Sequence, residues 1–297
     1  MRRWTIELLL LSVVIIWGIN YTFGKYGVME LTSIDFTAIR MMVAGPLLLL
    51  ITLGIERSIR IQANHLIRLF IVSIVGVTLY QTLFMETIKY ISATNASLLI
   101  SLSPIFTSLF SLLCKQEMFS NRKLMGSVIA FIGAALVLLV QDPMSGQKNM
   151  FLGNLIGMVT SMCWGLYPIL ANPLIRQYSA LRVTAWSASI GAVPLVLLSG
   201  SNVYHLSFQL HLATWLSLLY SIFFVTIFGL VMWYVGVQKI GATNTMVYMY
   251  ITPLTAVLFA AFWANEHIYL QHIIGGVVIF MGLWLVKKQA RTPKPLR

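Results

Sequence analysis

The residues able to do chemistry in this chain are few and stand in apolar surroundings. Arg40 is the one charged residue in the run FTAIRMMVAGPLLLL. If a helix spans 33–54, a rise of about 1.5 Å per residue puts Arg40 about 5 Å from its middle. A charge at such a depth in a bilayer costs at least roughly 3 kcal/mol unless it meets water or a partner. Two readings stay open: a guanidinium in a wet cavity that holds a carboxylate or other anionic group, or one paired with backbone carbonyls, Glu30 or Asp35. Trp17, Tyr21 and Gly24 follow one another at i, i+4 and i+7, with Asn20 beside them, so one helix face carries rings with polar tips. Such a face suits an amphipathic or aromatic metabolite, and equally a second helix. Tyr80 with Gln81, Trp164 with Tyr167, and Tyr248 with Thr252 bring further polar and aromatic groups to mid-helix levels. Buried polar groups in hydrocarbon need partners, so some of these must face a wet cavity or one another. Arg40, Trp17, Asn20, Tyr21, Tyr80, Gln81, Trp164, Tyr167, Tyr248 and Thr252 are therefore the candidate ligand-binding set.

The elements that position them are membrane helices. Of the 297 residues 59% are hydrophobic and 9% charged, too few charges for the surface of a soluble domain. Ten apolar runs are long enough to span, near 7–26, 33–54, 67–87, 91–114, 122–140, 151–171, 180–199, 212–236, 240–263 and 269–287. Runs such as SVIAFIGAALVLLV lack the alternation of a strand barrel, so the expected fold is all-α. The start, MRRWTIELLLLSVVIIWG, has the look of a signal peptide without a small-x-small cleavage site, and it is read as a retained first helix.

The net charge of +12 comes from dispersed loop residues, which argues against nucleic acid and for the positive-inside rule. With an inner N-terminus, 16 of the 20 basic residues fall on the inner side, leaving Lys25, Lys89 and Lys148 outside and Arg40 within a span. Both termini are therefore expected in the cytoplasm. The acids Glu7, Glu30, Asp35, Glu56, Glu86, Glu117, Asp142 and Glu266 lie at span ends or in loops, as do His65, His205, His211, His267 and His272. No convergent cluster suggests an enzyme or a metal site, and no cofactor is expected. Glu7 and Glu86 are the carboxylates placed to couple a proton if the span ends lie one turn deeper. No phosphate-binding glycine loop for ATP is present. Cys114 and Cys163 lack metal-ligand spacing and read as small packing residues.

The word ISATNASLLISLSP at 91–104 returns as IGATNTMVYMYITP at 240–253. Shifting 91–137 by 149 lays it on 240–286 with 14 identities in 47 positions, among them Asn95/Asn244, Pro104/Pro253, Glu117/Glu266, Gly126/Gly275 and Gly133/Gly282. Trp17-Gly18 is echoed by Trp164-Gly165, and Pro46 by Pro194. Five spans per half is an odd number, so the second half must enter the membrane inverted. We read 1–143 and 144–297 as two inverted five-helix repeats around a central cavity, an arrangement that exposes one site alternately to each side. Pro46, Pro104, Pro168, Pro194 and Pro253 lie inside spans, as gate bends or static kinks. Lys25 lies near a span end, where snorkelling and cavity lining both remain open. Asn95 and Asn244 are expected to cap their helices, and Glu117 and Glu266 to sit by the positive start of the following helix. Gly126, Ala130 and Gly133, with Gly275, Gly276 and Gly282, mark close helix approach within a monomer.

WGINYTFGKYG, the second-span Arg40, the Tyr-Ile-Ser-Ala start at 90–93, the Ser/Thr-Pro steps at 103–104 and 252–253, and a Glu ahead of each glycine-bearing last helix resemble the EamA family. This is the ten-helix branch of the drug/metabolite transporter superfamily, and the resemblance covers nearly the whole chain. It implies a plasma-membrane carrier, commonly an exporter of amino acids, other small metabolites or drugs. It further implies a cavity lined by both halves, with the last helix of each more peripheral. A proton-coupled drug antiporter is the alternative within that class; a channel is the alternative outside it.

Overall fold

The computed structural model describes residues 3–114, 121–138, 147–200, 210–241 and 245–290. Among the described residues the chain runs through ten helices: α1 Arg3–Glu30, α2 Ser33–Glu56, α3 Ala63–Tyr90, α4 Ala93–Leu113, α5 Asn121–Leu138, α6 Gln147–Gln177, α7 Ala180–Ser199, α8 Leu212–Ile240, α9 Thr252–Trp263 and α10 Leu270–Ala290. No strand occurs among the described residues. Seven helices, α1 to α4 and α6 to α8, are long and apolar enough to cross a membrane, while α9 and most of α10 form shorter apolar helices. Glu117, Asp142, His205 and Asn244, together with Arg2, Lys115, Arg291, Lys294 and Arg297, lie outside the described residues.

Side-chain caps start the helices. Thr32 Oγ1 accepts from the Asp35 amide at 3.1 Å, Ser92 Oγ from the Asn95 amide at 3.2 Å, and Ser179 Oγ from the Arg182 amide at 2.9 Å. Each pairs an amide that the helix itself leaves orphaned. Capping of α4 therefore falls to Ser92 and not to Asn95, whose side-chain oxygen and nitrogen are buried without a hydrogen-bond partner.

The packing repeats about a pseudo-twofold axis. α2 packs on α7 and α5 on α10, while the pair α1 with α9 is matched by α6 with α4, and α3 with α6 by α8 with α1. Close approach confirms the relation atom by atom. A Cβ on Gly133 would meet the Ile279 amide at 2.6 Å and the Gly275 carbonyl at 2.7 Å; one on Gly282 would meet the Gly126 carbonyl at 2.4 Å and the Ala130 amide at 2.5 Å. These are the same contacts shifted by 149 residues, and they bind α5 and α10 into one peripheral pair. The protein is thus an all-α, multi-pass membrane protein of two inverted repeats.

The helices depart from regular geometry at equivalent places. α3 is π-helical over Ile74–Leu79 and α8 over Ser221–Leu230, so the shift of 149 superposes one on the other. α4 is broken at 101–102, and α9 follows a 3-10 turn over Val247–Ile251. Pro104 and Pro253 sit in the first turn after these breaks, where proline removes no helical hydrogen bond. Pro46, Pro168 and Pro194 instead lie inside continuous α2, α6 and α7.

Gly133→Leu and Gly282→Leu should each overpack the α5/α10 contact and destabilise the fold by about 1–3 kcal/mol. Gly54→Leu, at a glycine with nothing within 4 Å, should have little effect. Thermal unfolding in detergent compares them, and equal losses at all three sites would rule the close contact out as the cause.

Candidate functional site

A pocket lies between the repeats, lined by Trp17, Asn20, Tyr21, Tyr80, Gln81, Phe84, Trp164, Val225, Leu230, Met249 and Thr252. α1 and α3 contribute from the first repeat, and α6, α8 and the approach to α9 from the second. Its walls are aromatic. Tyr80 stacks on Trp164 with centroids 4.5 Å apart, Trp17 meets Trp164 edge-on at 5.2 Å, and Tyr21 meets Phe84 edge-on at 5.0 Å. Edge-on and stacked pairs of this kind hold rings in defined orientations, so this wall of the pocket is aromatic and fixed.

The irregular helices supply the polar fittings. Within the π segment of α8, the Val225 carbonyl accepts from Trp17 Nε1 at 3.1 Å, and Ser221 Oγ donates to Asn20 Oδ1 at 3.1 Å. The π segment of α3 ends at Leu79, immediately before Tyr80 and Gln81. Such segments expose backbone groups that a regular helix would occupy, and here α1 takes them up.

Seven members of the candidate set thus meet at one cavity, and three do not line it. Arg40 is fully buried and donates from Nη2 to Gln81 Oε1 at 2.7 Å, one layer behind the wall. Its Nε and Nη1 have no hydrogen-bond partner, and its guanidinium carbon lies 5.9 Å from the Phe36 ring centroid. Glu30 and Asp35, the partners considered from sequence, are engaged elsewhere: Glu30 with Thr214 and with His211 Nδ1 at 2.5 Å, Asp35 with Ser199. Tyr167 packs on Tyr234 at 5.3 Å, and Tyr248 is half-buried against the apolar cluster that also holds Trp17, Tyr80 and Trp164. Phe84, Val225, Leu230 and Met249 also line the cavity and carried no sequence signal, because apolar side chains in apolar helices look alike. Glu86 lies at the end of α3, 3.6 Å from Lys89, and Glu7 near the start of α1; neither lines the cavity.

Two polar ties outside the pocket lining join helices near opposite ends of the bundle. Glu266 Oε1 accepts from Lys25 Nζ at 2.8 Å and from the Ala93 amide at 2.9 Å, while Oε2 accepts from the Thr94 amide at 3.2 Å and Thr94 Oγ1 at 3.0 Å. Glu266 does sit at a helix N-terminus, but that of α4 in the other repeat and not the helix after it. Lys25 is accordingly paired and not free to snorkel. Burial pushes the Glu266 carboxyl up, but Lys25 and the two amides outweigh it and hold its pKa below the ordinary carboxylate value. At the opposite end Glu56 Oε2 accepts from Arg182 Nη2 at 2.9 Å and Nε at 3.1 Å, and Trp186 Nε1 donates to the Ile59 carbonyl at 2.7 Å.

Inverted helical repeats with an aromatic, partly polar pocket between them fit an integral-membrane transporter. The EamA-like transporter family model matches residues 4–139 and again 151–287. The chain belongs to that family. It is 28% identical over 94% of its length to an uncharacterized transporter of Archaeoglobus fulgidus, covering 96% of that protein. It is 24% identical to a probable amino-acid metabolite efflux pump of Escherichia coli, over 93% of each chain. A solved protein structure superposes with a TM-score of 0.71 at 16% identity over 98% of this chain and all 100% of that one, which shows a shared fold.

Because the folded-state pKa of Glu266 is lowered, its stabilisation is fully present above the usual carboxylate range and is lost as pH falls through the depressed value. Thermal stability of the wild type should therefore drop more steeply than that of Glu266→Gln from about pH 7 to about pH 3. Near neutral pH the variant should be less stable by about 1–3 kcal/mol. Parallel pH profiles would show that the tie contributes nothing.

Proposed function

We propose that the protein is a secondary transporter that exports small amphipathic or aromatic metabolites, amino acids or their relatives, by alternating access. The observation that carries this reading is the place of the pocket: it is lined by helices of both inverted repeats. Rocking one repeat against the other opens one end while the other stays closed. On this reading the Lys25–Glu266–α4 tie and the Glu56–Arg182 tie break in turn. Trp17, Tyr21, Tyr80 and Trp164 form the apolar slot, and Asn20, Gln81 and Thr252 its polar contacts. Tyr167 and Tyr248 back the slot from within the same apolar cluster. The prolines near the α4 and α9 breaks, with those inside α2, α6 and α7, are the bends about which the helix ends swing. The name of the Escherichia coli relative supports the choice of substrate class.

The halves 1–143 and 144–297 act as the two moving bodies of a monomer. The distribution of basic residues favours the plasma membrane with both termini in the cytoplasm. Among the described residues no carboxylate lines the pocket, which favours movement down a gradient over proton exchange; Glu7 and Glu86 are the residues to test if a proton gradient proves necessary.

Proteoliposomes loaded with a mixed pool of amino acids, nucleobases and cationic dyes, read by mass spectrometry with and without a proton gradient, test the proposal. The expected outcome is saturable counterflow of a few amphipathic compounds without a gradient, and a KM raised about tenfold or more by Trp164→Ala at unchanged folded yield. Non-saturable leak of many compounds would point to a channel and sink the carrier reading.

A further inference from the structure

The polar head that the cavity accepts is decided by which end of the Gln81 amide faces it. An amide carries an acceptor oxygen and a donor NH2 on one carbon, and nothing in the side chain itself chooses between them. The chooser here is Arg40, which has donors only, so an atom hydrogen-bonded to it must be an acceptor. With Oε1 held at 2.7 Å by Arg40 Nη2, the Gln81 NH2 is the end left for the cavity that the residue lines. Asn20 is arranged in the same sense, its Oδ1 occupied by Ser221 Oγ at 3.1 Å. Two amides thus offer donors, no carboxylate among the described residues lines the pocket, and a guanidinium with two unpartnered nitrogens stands one layer behind.

We propose that Arg40 is a positioning residue that turns the Gln81 amide so that its NH2 meets the ligand, making the cavity select a carboxylate or carbonyl head over an ammonium head. The inference rests on the reading of this cavity as the substrate site. Charge assists it twice. A cation bonded to the amide oxygen polarises the amide and strengthens its N–H donors. The same cation, lacking a counter-ion among its hydrogen-bond partners, favours a negative head nearby and disfavours a positive one. The aromatic slot of Tyr80, Trp164 and Trp17 then takes the apolar body of the same ligand.

Three probes with one ring and different heads separate the possibilities: phenylacetate, phenylacetamide and phenethylamine, titrated against tryptophan fluorescence of the full chain in nanodiscs. The wild type should bind the acid most tightly, the amide next, and the amine at least about tenfold more weakly than the acid, a ratio equal to about 1.4 kcal/mol. Gln81→Glu keeps a partner for Arg40 and removes the donor. It should weaken the acid about tenfold or more and leave the amine unchanged or improved. Arg40→Gln should bring acid and amine to within about threefold, whereas a merely structural role would weaken all three probes together. Equal binding of acid and amine by the wild type, or an order that Gln81→Glu leaves intact, overturns the inference while counterflow of the mixed pool keeps the carrier reading standing. Where the probes are too small to bind, the heads of the compounds released from that pool decide between the same outcomes. Absence of both binding and counterflow overturns the carrier reading, and this inference with it.

Discussion

An amide or carbonyl in hydrocarbon has no water to bond, and leaving one unpaired costs several kcal/mol. That constraint makes every long element of this protein a helix, and it also dictates where helices are allowed to be irregular. The π segments of α3 and α8 each turn one face inward, burying Gly76, Val77 and Thr78 in α3 and Val225, Thr226 and Gly229 in α8. Trp17 bonds the Val225 carbonyl within one such segment, and Glu266 bonds two orphan amides at the start of α4. The cavity sits beside these places because they are where the backbone has polar groups to share.

The inverted repeat supplies each feature twice, yet the two copies do not do the same thing. Thr252 beside the α9 break faces the cavity, whereas Ser103, its counterpart in α4, donates to the Ile100 carbonyl and lies 3.2 Å from Ser161 Oγ of α6. Thr107 Oγ1 adds a bond to the Gly165 carbonyl at 2.9 Å. One break is therefore sealed by its neighbour while the other borders open space. Similar sequences thus stand in unequal surroundings in the two copies.

Much of the site was legible because polar and aromatic groups at mid-helix depth are costly without a reason. Trp17, Asn20, Tyr21, Tyr80, Gln81, Trp164 and Thr252 stand out by that cost alone and share one cavity. Phe84, Val225, Leu230 and Met249 line the same space and are silent in the sequence, since a lipid-facing valine and a cavity-facing one are the same residue. Arg40 was conspicuous but its partner was not: the nearby acids in sequence are tied to Thr214, His211 and Ser199, and the residue that holds it is Gln81, on another helix.

What the sequence determined by itself is local and additive. Run length and composition make the helices, turn residues such as Thr32, Ser92 and Ser179 start them, and the 149-residue repeat with an odd number of spans makes the halves inverted. What only the tertiary structure decided is which face of each helix meets which neighbour. That choice put Arg40 behind the wall, joined Lys25 to Glu266 across 241 positions of chain, and opened space beside α9 but not beside α4. Helix formation depends on residues within a few positions of each other. Rotation and pairing of helices depend on close packing among side chains far apart in the chain, where a glycine such as Gly133 or Gly282 matters only because another helix presses on it.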